Sequence, residues 1–349
     1  MLKQQSQATD FDGALRGLMC ADGPLAIIDI GTFKTVCMIL LPVHGALRGW
    51  RVAGVGHQIS RGIKARVVVG AEEAERSLRA AVIQAEQMAG FAVERAIVGY
   101  NSGRLQRFDP RLPRAALQDM MREKELTPLL RQAGADEAGE GALRVFAADE
   151  VSLKQLLHVV EQADLTVEGV FPSLIGASLA VTTAEERGGC VAVIDMGAGG
   201  TSAALIAAHR VEAMLAVPVG GQHMTFDIAK ELQCPLNEAE RIKLNHGILE
   251  CAQSSTCAVD GDSAQVDVAI SGSERGGTAF SYMAADKRLG DLIEERVGSL
   301  MRQLATRMEA AFPVDRLEGV VLAGGAAGTT GGVNGGRENF CRPGPSCCT

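Results

Sequence analysis

Leu25-Ala-Ile-Ile-Asp-Ile-Gly-Thr-Phe-Lys-Thr-Val-Cys-Met-Ile-Leu-Leu41 and Cys190-Val-Ala-Val-Ile-Asp-Met-Gly-Ala-Gly-Gly-Thr-Ser-Ala-Ala-Leu-Ile-Ala207 follow one pattern. Each is an apolar run of strand length ending in an aspartate, then a glycine turn, then a second apolar run, which reads as a hairpin of two strands. A third strand candidate follows each, at 49–55 and 210–217. The chain has repeated its opening, and the repeat predicts a duplicated α/β architecture with a cleft between two related halves.

Working outward, Leu78, Val82, Ala85 and Met88 fall at helical spacing over 72–88, with charges on the other face and Gly90 as a stop. A strand is expected at 93–98. From Asn101 to Gly141 the sequence turns polar, with Pro110, Pro113 and Pro128 and an acidic, glycine-rich stretch from Gly134. Regular patterning returns with a helix from Ser152 to Ala163, a strand at 166–170 and a helix at 173–181. Beyond the second hairpin, helices are expected at 222–232 and 236–244, short strands at 256–270, a long helix at 284–311 and a strand at 319–323 before Gly324-Gly325.

The 349 residues, 47% hydrophobic and 22% charged, fit an ordinary globular chain long enough for two domains. A net charge of −8 argues against nucleic acid as a partner, because a phosphate-binding face needs clustered Lys and Arg. The nine cysteines include no CxxC pair, so reduced thiols in a cytoplasmic setting are expected and zinc is not. Nowhere do about 18 apolar residues run without a charge, so no spanning helix is expected. The opening 22 residues read as a polar flexible tail without a signal-peptide core. His57, His158, His223 and His246 stand apart from any nucleophile or metal constellation and are expected in ordinary hydrogen-bonded or surface roles.

The two turns carry the candidate chemistry. Backbone N–H groups around Gly31 and Thr32, and around Gly197, Gly199, Gly200 and Thr201, form concave arrays suited to phosphate oxygens. Asp29 and Asp195, at the ends of their strands, would face each other across a magnesium ion held through water. Lys34 would add positive charge near the outer phosphates, and Gly324 and Gly325 would supply a third turn for a nucleoside base. A single glycine hairpin is usually structural; the pair, with the third turn, points to a nucleoside triphosphate.

These residues resemble the actin/Hsp70 superfamily, with 29–35 as the first phosphate motif, 195–202 as the second and 322–326 as the adenosine motif. Within it, Pro218-Val-Gly-Gly-Gln-His-Met-Thr-Phe-Asp-Ile-Ala-Lys230, Glu238-Ala-Glu-Arg-Ile-Lys-Leu244 and the block 62–90 resemble the FtsA family of bacterial division proteins. The resemblance implies an actin-like duplicated ATPase fold with a small inserted SHS2-type domain. Its parts would be a tail at 1–22, a first half at 23–90 and 171–186, the insertion at 91–170, a second half at 187–326 and an irregular tail at 327–349. It also implies binding of ATP and Mg, with Glu240 and Lys243 facing ribose and base. The partners it implies are FtsZ, further divisome proteins and other copies of the chain in actin-like filaments. Its implied place is the cytoplasm, at the inner membrane's cytoplasmic face where peripheral contact is retained.

Two departures qualify what the resemblance implies. MreB and Hsp70 carry Glu-Pro where the carboxylate sits near the attacking water, whereas this chain has Phe171-Pro172, so at most slow hydrolysis is expected. After Ala326 the sequence lacks the helical period and apolar face of the family's membrane-binding terminal helix, a pattern consistent with a truncated or frame-shifted end. Cys341, Cys347 and Cys348 read as unpaired thiols of that tail. Two rivals share the superfamily: a PilM-like pilus-assembly protein and a small-molecule kinase, the latter lacking any identifiable substrate-activating aspartate beyond the two cleft acids.

Overall fold

The computed structural model describes residues 23–43, 49–101, 105–108, 114–133, 143–246, 282–312 and 316–327. The expected tail at 1–22, the strands at 256–270 and the segment 328–349 lie outside them.

The first half begins with β1 (Leu25–Ile30), β2 (Lys34–Val43) and β3 (Gly49–Ile59), an antiparallel meander, followed by the two-residue strands β4 (Ile63–Lys64) and β5 (Val67–Val68). Helix α1 (Ala71–Ala89) then crosses the sheet and delivers the chain to β6 (Arg95–Tyr100), parallel to β1. The helix lies unusually close because β3 offers no side chain beneath it. A Cβ at Gly54 would stand 2.0 Å from the Ala85 carbonyl oxygen, and one at Gly56 1.9 Å from that of Ala81. Ala74, Leu78, Ala81, Val82 and Ala85, on one face of α1, close the core against Ile28, Ile39 and Val98. The helix ends where the periodicity predicts, with Gly90 left-handed at φ 84° and its N–H on the Glu86 carbonyl.

A compact unit follows: β7 (Gln106–Phe108), α2 (Arg114–Glu123), β8 (Leu126–Ala133) and β9 (Leu143–Asp149), forming a three-stranded sheet in the order β7-β9-β8. Asp149 caps α3 (Glu150–Gln162) by accepting the Ser152 N–H at 2.8 Å, and the chain re-enters the first sheet as β10 (Thr166–Pro172). The first sheet is therefore β10-β6-β1-β2-β3. The expected insertion at 91–170 is narrower than that: β6 and β10, inside those bounds, are parallel strands of the main sheet, and only the strand–helix–strand–strand unit at 106–149 has a sheet of its own. Local sequence specifies a strand but not which distant strand it will pair with, so the two were assigned to the wrong unit.

Helices α4 (Ser173–Val181) and α5 (Ala184–Gly188) lead to the second half. It repeats the first with β11 (Cys190–Met196), β12 (Thr201–Ala207) and β13 (Arg210–Val217), again an antiparallel meander. Helices α6 (Gly221–Leu232), α7 (Leu236–His246) and α8 (Tyr282–Ala311) precede β14 (Gly319–Ala323), which lies parallel to β11 and gives the order β13-β12-β11-β14. Met224, Ile228, Ile293, Leu300 and Leu304 of the helices fill its core against Ile194 and Met196. The inserted unit packs on this half: Leu130 and Phe146 share a cluster with Ala204, Val211 and Met214, and Arg144 pairs with Glu212 at 2.8 Å.

Candidate functional site

The two aspartates sit at equivalent places, and the turns after them close with equivalent bonds. Asp29 is the penultimate residue of β1; two residues later, Gly31 N–H donates to the Lys34 carbonyl at 3.0 Å. Asp195 is the penultimate residue of β11, and Gly197 N–H donates to the Gly200 carbonyl, also at 3.0 Å. The offsets from the aspartates are identical, so the duplication read from sequence extends to individual hydrogen bonds. It also equates buried Thr201 with buried Thr35, a residue that reading the sequence did not select. Thr201 Oγ1 is bonded to the Val219 carbonyl at 2.8 Å, and Thr35 Oγ1 to Ser60 Oγ at the same distance.

Around Asp29, the parallel strands bring Gly99 alongside, and Phe171 beyond it in the same row. A Cβ at Gly99 would stand 2.4 Å from Ser173 Oγ, so the glycine makes room for the Ser173 hydroxyl to donate to Asp29 Oδ1 at 3.1 Å. Phe171 thus puts an aromatic ring in the row of the first aspartate. Lys34 opens β2 and is exposed at the mouth of the turn.

Around Asp195, two glycine segments pack against the turn. A Cβ at Gly324 would meet Asp195 Oδ1 at 2.4 Å and the Met196 carbonyl at 2.6 Å, and its φ of 93° is left-handed. Only glycine meets both demands without strain. Next to it Ala326 N–H donates to the Met196 carbonyl at 2.9 Å, whereas Gly325 has open space where its side chain would be. From the other side, the start of α6 rests on the turn, with Gly221 N–H on the Gly197 carbonyl and Gln222 N–H on that of Ala198. His223 Nδ1 accepts the Gly220 N–H at 3.2 Å, the ordinary hydrogen-bonded role expected for it.

The two turns touch. A Cβ at Gly199 would lie 2.3 Å from Thr32 Oγ1, so the second turn is pressed against the first. Thr32 Oγ1 also accepts the Arg66 N–H at 3.0 Å, and the Arg66 guanidinium reaches across to donate to Ser202 Oγ and to the Gly200 carbonyl. Arg66 stands in the tight turn between β4 and β5, where Ala65 and Arg66 are both left-handed, at φ 48° and 67°. That conformation costs non-glycine residues about 1–2 kcal/mol each and persists where the surroundings hold it. Reading the sequence passed over Arg66. The available signal was a cation inside a short segment bounded by Gly62 and Gly70.

Burial is the main reason that both aspartates have raised pKa values; the charge of Asp195 raises Asp29 further, while Ser173, Lys34 and Arg66 oppose the rise there, and Arg66 opposes it at Asp195. A cation between them would therefore displace protons from an unfavourably charged pair. Among the described residues no three His, Cys, Asp or Glu side chains gather as a metal site, so the protein's share of a magnesium ion's shell would be these two carboxylates. The donor set fits a metal-bound phosphate chain: hard oxygen ligands, glycine turns with close backbone approach, and an exposed lysine.

Glu240 and Lys243 lie in the second half, off the two Asp-x-Gly turns. Lys243 is buried and spends its ammonium on the Gly221 carbonyl at 3.1 Å, Thr225 Oγ1 at 2.8 Å and Glu240 Oε2 at 2.7 Å. The pair ties α7 to the start of α6 and is not a solvated helix pair. Gly221 sits directly between Lys243 and Ala326, which brings this network beside the third glycine turn. Of the cysteines, Cys37, Cys190 and Cys234 are free thiols, and burial pushes the Cys37 thiol up to about 12.

Two facing halves, each built on a meander whose Asp-x-Gly turn meets the other, define an actin-like protein, and solved structures agree. The PilM–PilN type IV pilus biogenesis complex superposes with a TM-score of 0.62 at 16% identity, covering 89% of this chain and 83% of that one. MreB5 of Spiroplasma citri bound to ADP gives 0.53 at 14% identity, covering 87% and 85%. The sequence model of the cell division protein FtsA matches residues 192–325. The FtsA of Rhizobium meliloti is 31% identical over 265 residues, which are 64% of this chain and 60% of that protein; the FtsA of Bacillus subtilis is 26% identical over 87% of this chain and 74% of its own length. By these matches the chain is similar to FtsA, most clearly over its second half. It spans about 60% of the length of the rhizobial relative that it matches.

Proposed function

We propose that this chain is an ATP- and magnesium-binding division scaffold that links FtsZ to the cytoplasmic face of the membrane, associates with its own copies and recruits other division proteins. The observation that carries the nucleotide reading is the equivalence of the two turns. The glycine turns that follow Asp29 and Asp195 are closed identically and meet where Gly199 rests on Thr32, and Gly324 packs against Asp195. Asp29 and Asp195 would hold the cation through water. The turns at Gly31–Lys34 and Gly197–Thr201 would take the phosphates, and Gly324, Gly325 and the Glu240–Lys243 pair would border the nucleoside. The bound ion would supply charge neutralisation to the phosphate chain, and the protein supplies position.

Phe171 in the row of Asp29 supports binding that outlasts hydrolysis, because an aromatic ring can neither orient nor deprotonate a water. The division role is supported by the similarity to FtsA, and the unit at 106–149 would be the counterpart of that family's SHS2-type insertion. The test is retention of purified FtsZ, a pilus-assembly peptide or neither on the immobilised chain, alongside phosphate release and a screen for sugar phosphorylation. Retention of FtsZ with slow phosphate release supports the proposal. Retention of the pilus peptide alone, or rapid phosphorylation of a sugar, overturns it.

A further inference from the structure

Resting on that reading of the cleft, we propose that Arg66 is a built-in competitor of the divalent cation: a latch whose guanidinium neutralises the Asp29–Asp195 pair and ties the two halves together until a metal-bound phosphate chain displaces it.

Three observations converge on this residue. Its guanidinium is the link across the junction of the turns, donating from the first half to the Gly200 carbonyl and Ser202 Oγ of the second. It lies directly on the glycine surface assigned to phosphate: a Cβ at Gly197 would be 3.2 Å from Nη2, and one at Gly200 would be 3.3 Å from Nε. Both aspartates feel its charge, and they are the groups that a magnesium ion would need. An ion of charge +2 and a guanidinium of charge +1 repel each other in a space of this size, and one pair of carboxylates cannot serve both fully. The same space is therefore claimed by a tethered cation and a diffusible one, and the tethered one is always present.

The hairpin carrying the latch can release it. Strands β4 and β5 pair only through Ile63–Val68 and Lys64–Val67, and the turn between them is left-handed at two residues that are not glycine. It is anchored at its base, where the Gly62 carbonyl accepts the N–H groups of Val69 and Gly70, and Ile63 and Val68 pack against the first-half core, so the release is a swing of the Arg66 side chain over a hairpin that stays in place. A binding-competent state that requires this swing lowers apparent affinity by the fraction of molecules in which the latch is open.

The test compares wild type with Arg66→Ala and Arg66→Lys, with two readouts. Hydrogen exchange at the Gly197 amide and the rest of the 195–202 turn, measured with neither nucleotide nor magnesium, reads the latch alone. The magnesium concentration giving half-maximal binding of a fluorescent ATP analogue reads the competition. Exchange at least tenfold faster in Arg66→Ala, with about a tenfold lower magnesium requirement and Arg66→Lys in between, supports the proposal. Unchanged exchange overturns it, as does a higher magnesium requirement, which would make Arg66 a phosphate ligand. If Arg66→Ala loosens the turn but neither form binds the analogue at millimolar concentration, the tie between the halves stands and the ATP reading of the cleft is what fails.

Discussion

Replacing Gly324 and Gly325 one at a time by alanine separates backbone support of the site from its surface. At Gly324 the φ of 93° costs an alanine about 1–2 kcal/mol. The new methyl would stand 2.4 Å from Asp195 Oδ1 and 2.6 Å from the Met196 carbonyl, so strand β14 must move away from β11 or Asp195 must turn, an overpacking cost of about 1–3 kcal/mol. The sum, about 2–5 kcal/mol, corresponds to a fall in melting temperature of roughly 3–7 °C for a chain of this size. Because the methyl strikes the carboxylate assigned to the cation, magnesium-dependent nucleotide affinity should fall at least tenfold as well. At Gly325 nothing lies within 4 Å of the added Cβ, so thermal stability should stay within about 1 °C of wild type. A base packed on that turn would nevertheless meet the methyl, and affinity for ATP should drop while stability does not. The assays are differential scanning fluorimetry and calorimetric titration on both variants. Equal melting temperatures for the two would refute the close approach of Gly324 to Asp195, and unaltered affinity in Gly325→Ala would remove the third turn from the base site.

Two further outcomes follow from charges in the structure. Arg144→Leu should lower stability by about 3 kcal/mol in urea titration by stranding half-buried Glu212 without its 2.8 Å partner, while the double variant Arg144→Leu/Glu212→Leu recovers part of that loss. The inserted unit should loosen from the second half in the single variant, read as faster proteolysis at 106–149. Asp29 has its folded-state pKa raised above 3.8, so the stability linked to its protonation is present below the unfolded value and is lost as pH rises through the folded one. Asp29→Asn should therefore be more stable than wild type at pH 7.5, with the gap closing as pH falls toward 4. A gap that widens toward acid would reverse the assigned sign.

The hairpins at Asp29 and Asp195 were legible because each packs two uninterrupted apolar strands around a glycine turn, and α1 and α8 because a long helix repeats its apolar face several times. The strands of 106–149 were not. β7 has three residues, β8 is interrupted by Pro128, and Leu130 and Phe146 are held by partners on the second half such as Val211 and Met214 that no local window contains. The same limit misplaced β6 and β10, whose parallel pairing is decided by sheet order and not by their own residues. At the site, glycines and aspartates announced themselves through turn chemistry. Arg66 did not, because its importance arises only when the turn between β4 and β5 is folded back over the second half's glycines.

Asp29 and Asp195 are proposed to hold a metal-bound nucleotide between the two halves. Calorimetric titration of ATP into the wild-type chain and into Asp195→Ala, each with magnesium and with chelator, tests it directly. Saturable binding by wild type only with magnesium, weakened at least tenfold in Asp195→Ala, is expected. Binding that is indifferent to both magnesium and Asp195, or no binding at millimolar ATP in Arg66→Ala as well as wild type, would contradict it.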